Sequence, residues 1–194
     1  MKFLLRLFIP LLFSTLSFIV HAEGDNTLPQ VKLETSHGDI IIELNTDKAP
    51  NTVANYLNYV ESGFYDGTIF HRVIENFMIQ GGGFTEDFVQ KSPNAAIKNE
   101  ADNGLSNVKG SLAMARTGDP HSATAQFFIN TVDNDFLDFK SDKQDATWGY
   151  AVFGKVIEGM DVVDAIRVLP TSNKNGHGDV PNENVVLIKA SIVE

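Results

Sequence analysis

Phe70-His71-Arg72-Val73-Ile74-Glu75-Asn76-Phe77-Met78-Ile79-Gln80-Gly81-Gly82 and, thirty residues on, Met114-Ala115-Arg116-Thr117-Gly118-Asp119-Pro120-His121-Ser122-Ala123-Thr124-Ala125-Gln126-Phe127-Phe128-Ile129-Asn130 decide how this chain is read. Both are apolar, rich in β-branched and aromatic residues, and bounded by Gly, Asn and Pro, the signature of short strands. In the first, Arg72 is the only arginine or lysine between Ile69 and Gln90. It stands among aromatic and aliphatic neighbours. On pattern alone two readings stay open: an arginine at a site, or one on a strand exterior whose head reaches water.

Working outward, Val31–Leu44 reads as a hairpin. Val31-Lys32-Leu33-Glu34 and Ile40-Ile41-Ile42-Glu43-Leu44 flank the turn-forming Ser36-His37-Gly38-Asp39. Ala49–Ser62 reads as a helix, with Pro50 in its first turn, Val53, Leu57, Val60 and Phe64 at helical spacing, and Gly63 to end it. Strands are expected at Thr68–Ile74, Phe77–Gln80, Ser111–Ala115, Phe127–Thr131, Tyr150–Ile157 and Val185–Val193, and a second helix at Gly159–Val168. Many short strands suit a closed barrel or a sandwich, and periodicity does not choose between them.

The chain has 194 residues, suiting one domain, with 43% hydrophobic and 21% charged residues. Lys2 and Arg6, then the apolar Leu7–Val20, then Val20-His21-Ala22, read as a signal peptide over residues 1–22 cut after Ala22. An uncleaved anchor is the competing reading, but Arg6 and Pro10 interrupt the apolar run. Residues 23–30 read as a flexible lead-in to a domain at 31–194. The net charge is −10, and −12 without the first 22 residues. Such acidity argues against binding nucleic acid or anionic lipid. Without cysteine there is no disulfide, thiol nucleophile or thiolate metal site.

The chain carries no P-loop, G-x-G-x-x-G, G-x-S-x-G or H-E-x-x-H spacing. The acidic run Asp133, Asp135, Asp138, Asp142, Asp145 invites calcium, but lacks the glycine and terminal glutamate of an EF-hand loop. A solvated loop is the better reading. No metal or cofactor is expected.

With these residues set out, the sequence resembles the cyclophilin family, in its bacterial, periplasmic-type branch. The resemblance rests on F-H-R-V-I-x-x-F-M-I-Q-G-G, on M-A-R-T before A-Q-F-F-I-N, and on Val152-Phe153-Gly154-Lys155-Val156 followed by Gly159-Met160. It implies a mainly β fold, a closed eight-stranded antiparallel barrel capped by two helices, and rotation about Xaa-Pro peptide bonds. It makes Arg72 the catalytic residue and seats the proline on Phe77, Met78, Phe128 and Leu137. Gln80, Gln126 and the main chain of Arg116 would hold the substrate backbone, with Ala115 and Thr117 in a neighbouring groove. Phe136 stands where many eukaryotic members have tryptophan, and Tyr150 where they have histidine. The missing indole makes cyclosporin binding weak, unless Trp148 replaces it.

The resemblance further implies a monomer acting on proline-containing, unfolded or partly folded chains. It would assist the folding of exported proteins in the periplasm, without stable membrane association once the signal is removed. A proline-binding module without turnover, or a purely structural barrel, are the competing readings.

Overall fold

The computed structural model describes residues 28–193, so the signal-peptide reading and most of the lead-in lie outside the described residues. Gln30–Thr35 (β1) and Gly38–Leu44 (β2) form the expected hairpin. Pairing of Gln30 with Val193 and Glu43 starts the first strand within the last residue of the expected lead-in. Val31 and Leu33, with Ile40, Ile42 and Leu44, point inward, while the residues between them face outward. That is the period of two a strand with one buried face requires.

Then come Pro50–Glu61 (α1), Thr68–Ile74 (β3), Met78–Thr85 (β4), Ser111–Met114 (β5), Phe127–Asn130 (β6), Val152–Glu158 (β7), Met160–Arg167 (α2), Thr171–Lys174 (β8), His177–Pro181 (β9) and Val186–Val193 (β10). Eight strands close into an antiparallel barrel in the order β1-β10-β3-β4-β6-β5-β7-β2. β8 and β9 form a separate hairpin beside the barrel, packed against β3. The sequence reading assigns no structure there. Its missed signal is Asn175-Gly176, both at positive φ (51° and 81°), the pairing that favours a tight hairpin turn.

The core joins inward strand residues to both helices. In α1, Val53 and Val60 are buried as the periodicity predicts, but the largest buried groups are Tyr56 and Tyr59. Tyr56 packs on Phe127 and Phe153, with ring centres 5.5 and 5.1 Å apart. In α2, Val163 and Ile166 are fully buried. Since strands wall the barrel, helix side chains join this core through its ends, as the resemblance implies.

At its N-terminus α1 lacks a side-chain cap of its own, because the residue before Pro50 is alanine. Glu100, 48 residues away from Thr52, supplies it. Its carboxylate accepts from the Asn51 and Thr52 backbone N–H groups at 3.2 and 2.8 Å, and from both side chains at 2.6 and 2.7 Å. Partial burial opposes ionisation. The hydrogen bonds from Thr52 and Asn51 outweigh it and hold this carboxyl below the usual range. An anion at a helix N-terminus is stabilising, so the loop after β4 is anchored to α1.

Candidate active site

A break in strand periodicity sets the site. Along β3, Phe70 pairs with Gly81 but Arg72 pairs with Gln80, so two residues on β3 advance against one on β4. This is a β-bulge. Strict alternation would put Phe70 and Arg72 on the same face. Instead Phe70 and Val73 both enter the barrel core, and His71 and Arg72 both stay off it. The bulge thus carries Arg72 to the outer surface with 41% of its side chain exposed.

A second apolar cluster lies on that outer surface: Met78, Ala113, Phe128, Leu137 and Val152, with Phe77, Ala115 and Tyr150 at its margin. It comes from the off-core positions of β4, β5, β6 and β7. Consecutive residues divide between the two clusters: Met78 outside and Ile79 inside, Phe128 outside and Phe127 inside, Ala113 outside and Leu112 inside. The small side chains of Ala113 and Ala115 leave a hollow between the larger ones. The result is a notch of about 110 Å³ lined by Arg72, Phe77, Met78, Gln80, Ala115, Arg116, Phe128, Leu137 and Tyr150.

Most residues assigned from sequence therefore meet in one place. The carbon at the centre of the Arg72 guanidinium lies 5.9 Å from the centre of the Phe77 ring, at the rim. Phe77 belongs to the turn before β4, not to the strand, and its N–H bonds the Ile74 carbonyl at 3.1 Å. Gln80 Nε2 donates to Gln126 Oε1 at 2.9 Å. Gly83 makes room for this pair, since a Cβ there would lie 2.6 Å from the Gln126 side chain. The bond leaves a carbonyl oxygen on Gln80 and an amino group on Gln126 to engage a peptide.

The remaining assigned residues lie around the notch and not in its lining. Thr117 lies where the resemblance implies, in an adjoining groove of about 190 Å³ that it lines with Gln126, Gln90, Ser122 and Thr124. Gln80, Ala115 and Arg116 border both cavities. Phe136 is also absent from the notch lining. It is 64% exposed and stacks on the outer side of Phe77, ring centres 5.7 Å apart. The reason is local: in the 3₁₀ turn Asp135–Leu137, neighbouring side chains diverge, so Leu137 turns in and Phe136 out. Trp148 does not reach the notch; its ring packs on Phe139 and His121. The Arg116 side chain helps wall the notch. Its head lies 4.6 Å from the Tyr150 ring centre, and its Nε donates to the Gly149 carbonyl at 2.9 Å.

The sequence reading missed a buried polar network behind the notch. Asn134 Nδ2 donates to the Phe77 carbonyl at 2.8 Å and to Asn130 Oδ1 at 2.7 Å. Asn130 Nδ2 donates to Ser111 Oγ and Asn107 Oδ1, and Asn107 donates to Asp138 and to the Tyr150 carbonyl. The Leu137 N–H bonds the Asn134 carbonyl at 2.8 Å. Asn134 thereby ties two facing walls of the notch, Phe77 and Leu137. Asp133 and Asp138 of the acidic run accept from the Lys109 and Asn107 backbone N–H groups, so they organise loops. Among the described residues no group of three or more His, Asp or Glu is placed to hold a metal ion. Asn134→Ala is expected to raise KM roughly 10-fold on an Xaa-Pro peptide while kcat changes less, because a displaced wall loosens the seat. Steady-state kinetics on the folded variant checks this.

The family pattern described as cyclophilin type peptidyl-prolyl cis-trans isomerase/CLD matches residues 30–192. The chain belongs to the cyclophilin-type peptidyl-prolyl cis-trans isomerases. It is 62% identical over 163 residues to the peptidyl-prolyl cis-trans isomerase cyp18 of Streptomyces antibioticus, covering 84% of this chain and 98% of that one. To peptidyl-prolyl cis-trans isomerase B of Escherichia coli (strain K12) it is 56% identical over 164 residues, 84% of this chain and 99% of the other. Among solved structures, a cyclophilin type peptidyl-prolyl cis-trans isomerase of Cryptosporidium parvum is similar in fold, with TM-score 0.69 and 26% identity, covering 86% of this chain and 98% of that one. The activity of this cyclophilin is accordingly isomerisation about Xaa-Pro bonds, on the barrel the resemblance implied.

Proposed function

We propose that this cyclophilin turns Xaa-Pro bonds in the notch beside Arg72 and that it serves the folding of exported chains. The observation that carries the first part is the guanidinium at the mouth of an apolar hollow of proline size, with the Gln80–Gln126 pair alongside.

Partial double-bond character makes rotation slow, with a barrier of roughly 20 kcal/mol. No bond is cleaved, so the reaction needs neither nucleophile nor metal. At the twisted transition state the lone pair returns to the prolyl nitrogen. The Arg72 N–H groups can donate to it there, and far less to the planar ground state. That difference lowers the barrier. Phe77, Met78, Phe128 and Leu137 grip the ring, and Gln80 and Gln126 steady the flanking backbone. In partly excluded water, the guanidinium acts more strongly than it would in bulk.

Export is supported by the basic start, the apolar run and the Val20-His21-Ala22 ending, with the periplasm as destination, proline-containing unfolded chains as clients and a monomer as the working form. Weak cyclosporin binding follows from Phe136 and from the remote Trp148. Exchange NMR on a short Xaa-Pro peptide tests the activity. Cis-trans exchange is expected to accelerate by orders of magnitude with catalytic amounts of protein. Unchanged exchange defeats the reading. Cell fractionation that leaves the full chain in the cytoplasm defeats the location.

A further inference from the structure

On the other side of Arg72 from the proline notch lies a second cavity, of about 300 Å³. It is lined by His71, Arg72, Gln80, Phe84, Gln126, His177, Gly178 and Asp179. Arg72 and Gln80 border both spaces, so a peptide with its proline in the notch has a neighbouring side chain within reach of this one. The outer wall is the β8–β9 hairpin, which stands apart from the barrel sheet.

The lining is chemically specific. Asp179 Oδ2 lies 3.8 Å from Arg72 Nε, too long for a hydrogen bond, and the Asp179 side chain is 49% exposed. Its carboxylate thus keeps accepting capacity toward the cavity. Asp179 holds φ at +57°, a left-handed conformation that few non-glycine residues adopt, next to Gly178. The fold thus tolerates some backbone strain at the residue bearing the charge. The floor is aromatic: Phe84 packs on His71 and His177, ring centres 4.8 and 4.9 Å away, and Phe88 on His177 at 5.9 Å. Burial, then the nearby His177 and Arg72, keep His71 neutral at ordinary pH. Besides its two histidines, the charged groups lining the cavity are Arg72, turned to its proline task, and Asp179.

We infer that this cavity is a substrate subsite for a basic side chain flanking the proline, and that Asp179 is the residue that selects it. This rests on Arg72 and the notch being the catalytic centre. A lysine or arginine side chain would meet a carboxylate over aromatic rings, a favourable setting for a cation. An acidic side chain in the same place would pair with Arg72 and draw the guanidinium from the prolyl nitrogen. Lysine at the right position is expected to raise kcat/KM, and glutamate to lower it.

The test is a set of Xaa-Pro peptides carrying lysine, glutamine or glutamate at each of the two positions on either side of the proline bond. Their kcat/KM values are measured by exchange NMR at low salt. At one position the lysine peptide is expected to exceed the glutamate peptide at least 5-fold in the parent protein. In Asp179→Asn and Asp179→Gly, both compatible with the backbone there, that ratio is expected to fall within 2-fold of unity. Each variant changes the net charge by only one, so a collapse of the ratio reports the local carboxylate. Equal rates for all charges in the parent, or a ratio that survives both substitutions, overturns the inference. Failure of the parent to accelerate the glutamine peptides would instead overturn the isomerase reading on which it rests.

Discussion

Arg72→Ala is expected to lower kcat/KM on an Xaa-Pro peptide about 100-fold, the scale of losing one donor aimed at developing charge. At 25 °C this corresponds to roughly 3 kcal/mol of transition-state stabilisation. The notch is built chiefly from Phe77, Met78, Phe128 and Leu137, so proline binding should survive the substitution and the loss should fall on kcat. Arg72→Lys retains charge but lacks the planar set of donors, and should recover only part of the rate. Exchange spectroscopy with saturating and limiting peptide separates the two parameters. Turnover of the alanine variant within a few-fold of the parent sinks the assignment and favours a proline-binding module. Stability should hardly change, since Arg72 is 41% exposed and its ion pair with Asp179 is long.

Acid sensitivity through His71 is the second large effect. His71 is 4% exposed, wedged against Phe84, and its Nδ1 has no hydrogen-bond partner. Burial first, then the charge of His177, hold its pKa down to about 4 against 6.5 for a free histidine; a hydrogen bond with the Ile69 backbone opposes this, and Arg72 adds a smaller lowering. The folded state therefore prefers the neutral ring. Between pH 6.5 and 4 the unfolded chain binds the proton more readily, so stability falls as pH falls through that window and is fully present above it. At pH 4.5 the loss from this one residue is on the order of 2–3 kcal/mol. His71→Phe fills similar space without a titrating group. Urea denaturation at pH 7.5 and 4.5 should show the variant losing roughly 2–3 kcal/mol less than the parent across that interval. Equal losses in both proteins would show that His71 titrates normally in the fold.

The eight barrel strands and two helices were legible in the sequence, the first hairpin and the helices by a period that matches their burial and the inner strands as short apolar runs buried nearly throughout. β2 alternates residue by residue, and α1 repeats at three and four. Boundaries moved where short polar turns take over: Phe77 fell into the turn, and β7 begins at Val152 rather than Tyr150. That Arg72, Phe77, Met78, Phe128 and Leu137 line one notch was legible through motif resemblance, not periodicity. Alternation alone places Arg72 beside Phe70 in the core, and only the bulge at His71 reverses this. The β8–β9 hairpin escaped because Thr171–Lys174 is polar, with three of its four residues exposed. With it went Asp179 and His177. Asn130 and Asn134 escaped because a buried asparagine next to apolar residues has no periodic signature; its partners become neighbours only when the barrel closes.

Closure of the barrel also bears on the proposed encounter with unfolded chains. Unfolded chains seek unpaired strand edges, and an open sheet would offer them a template for runaway β-stacking. Here β1 and β2 pair on both flanks and the barrel closes, the shortest seam being the two residue pairs between β10 and β3. The remaining hairpin is four and five residues long, and its Lys174 head is folded back onto the Pro181 and Asn182 carbonyls. A visiting polypeptide meets less free backbone here than on an open sheet, and what there is lies along the short β10–β3 seam.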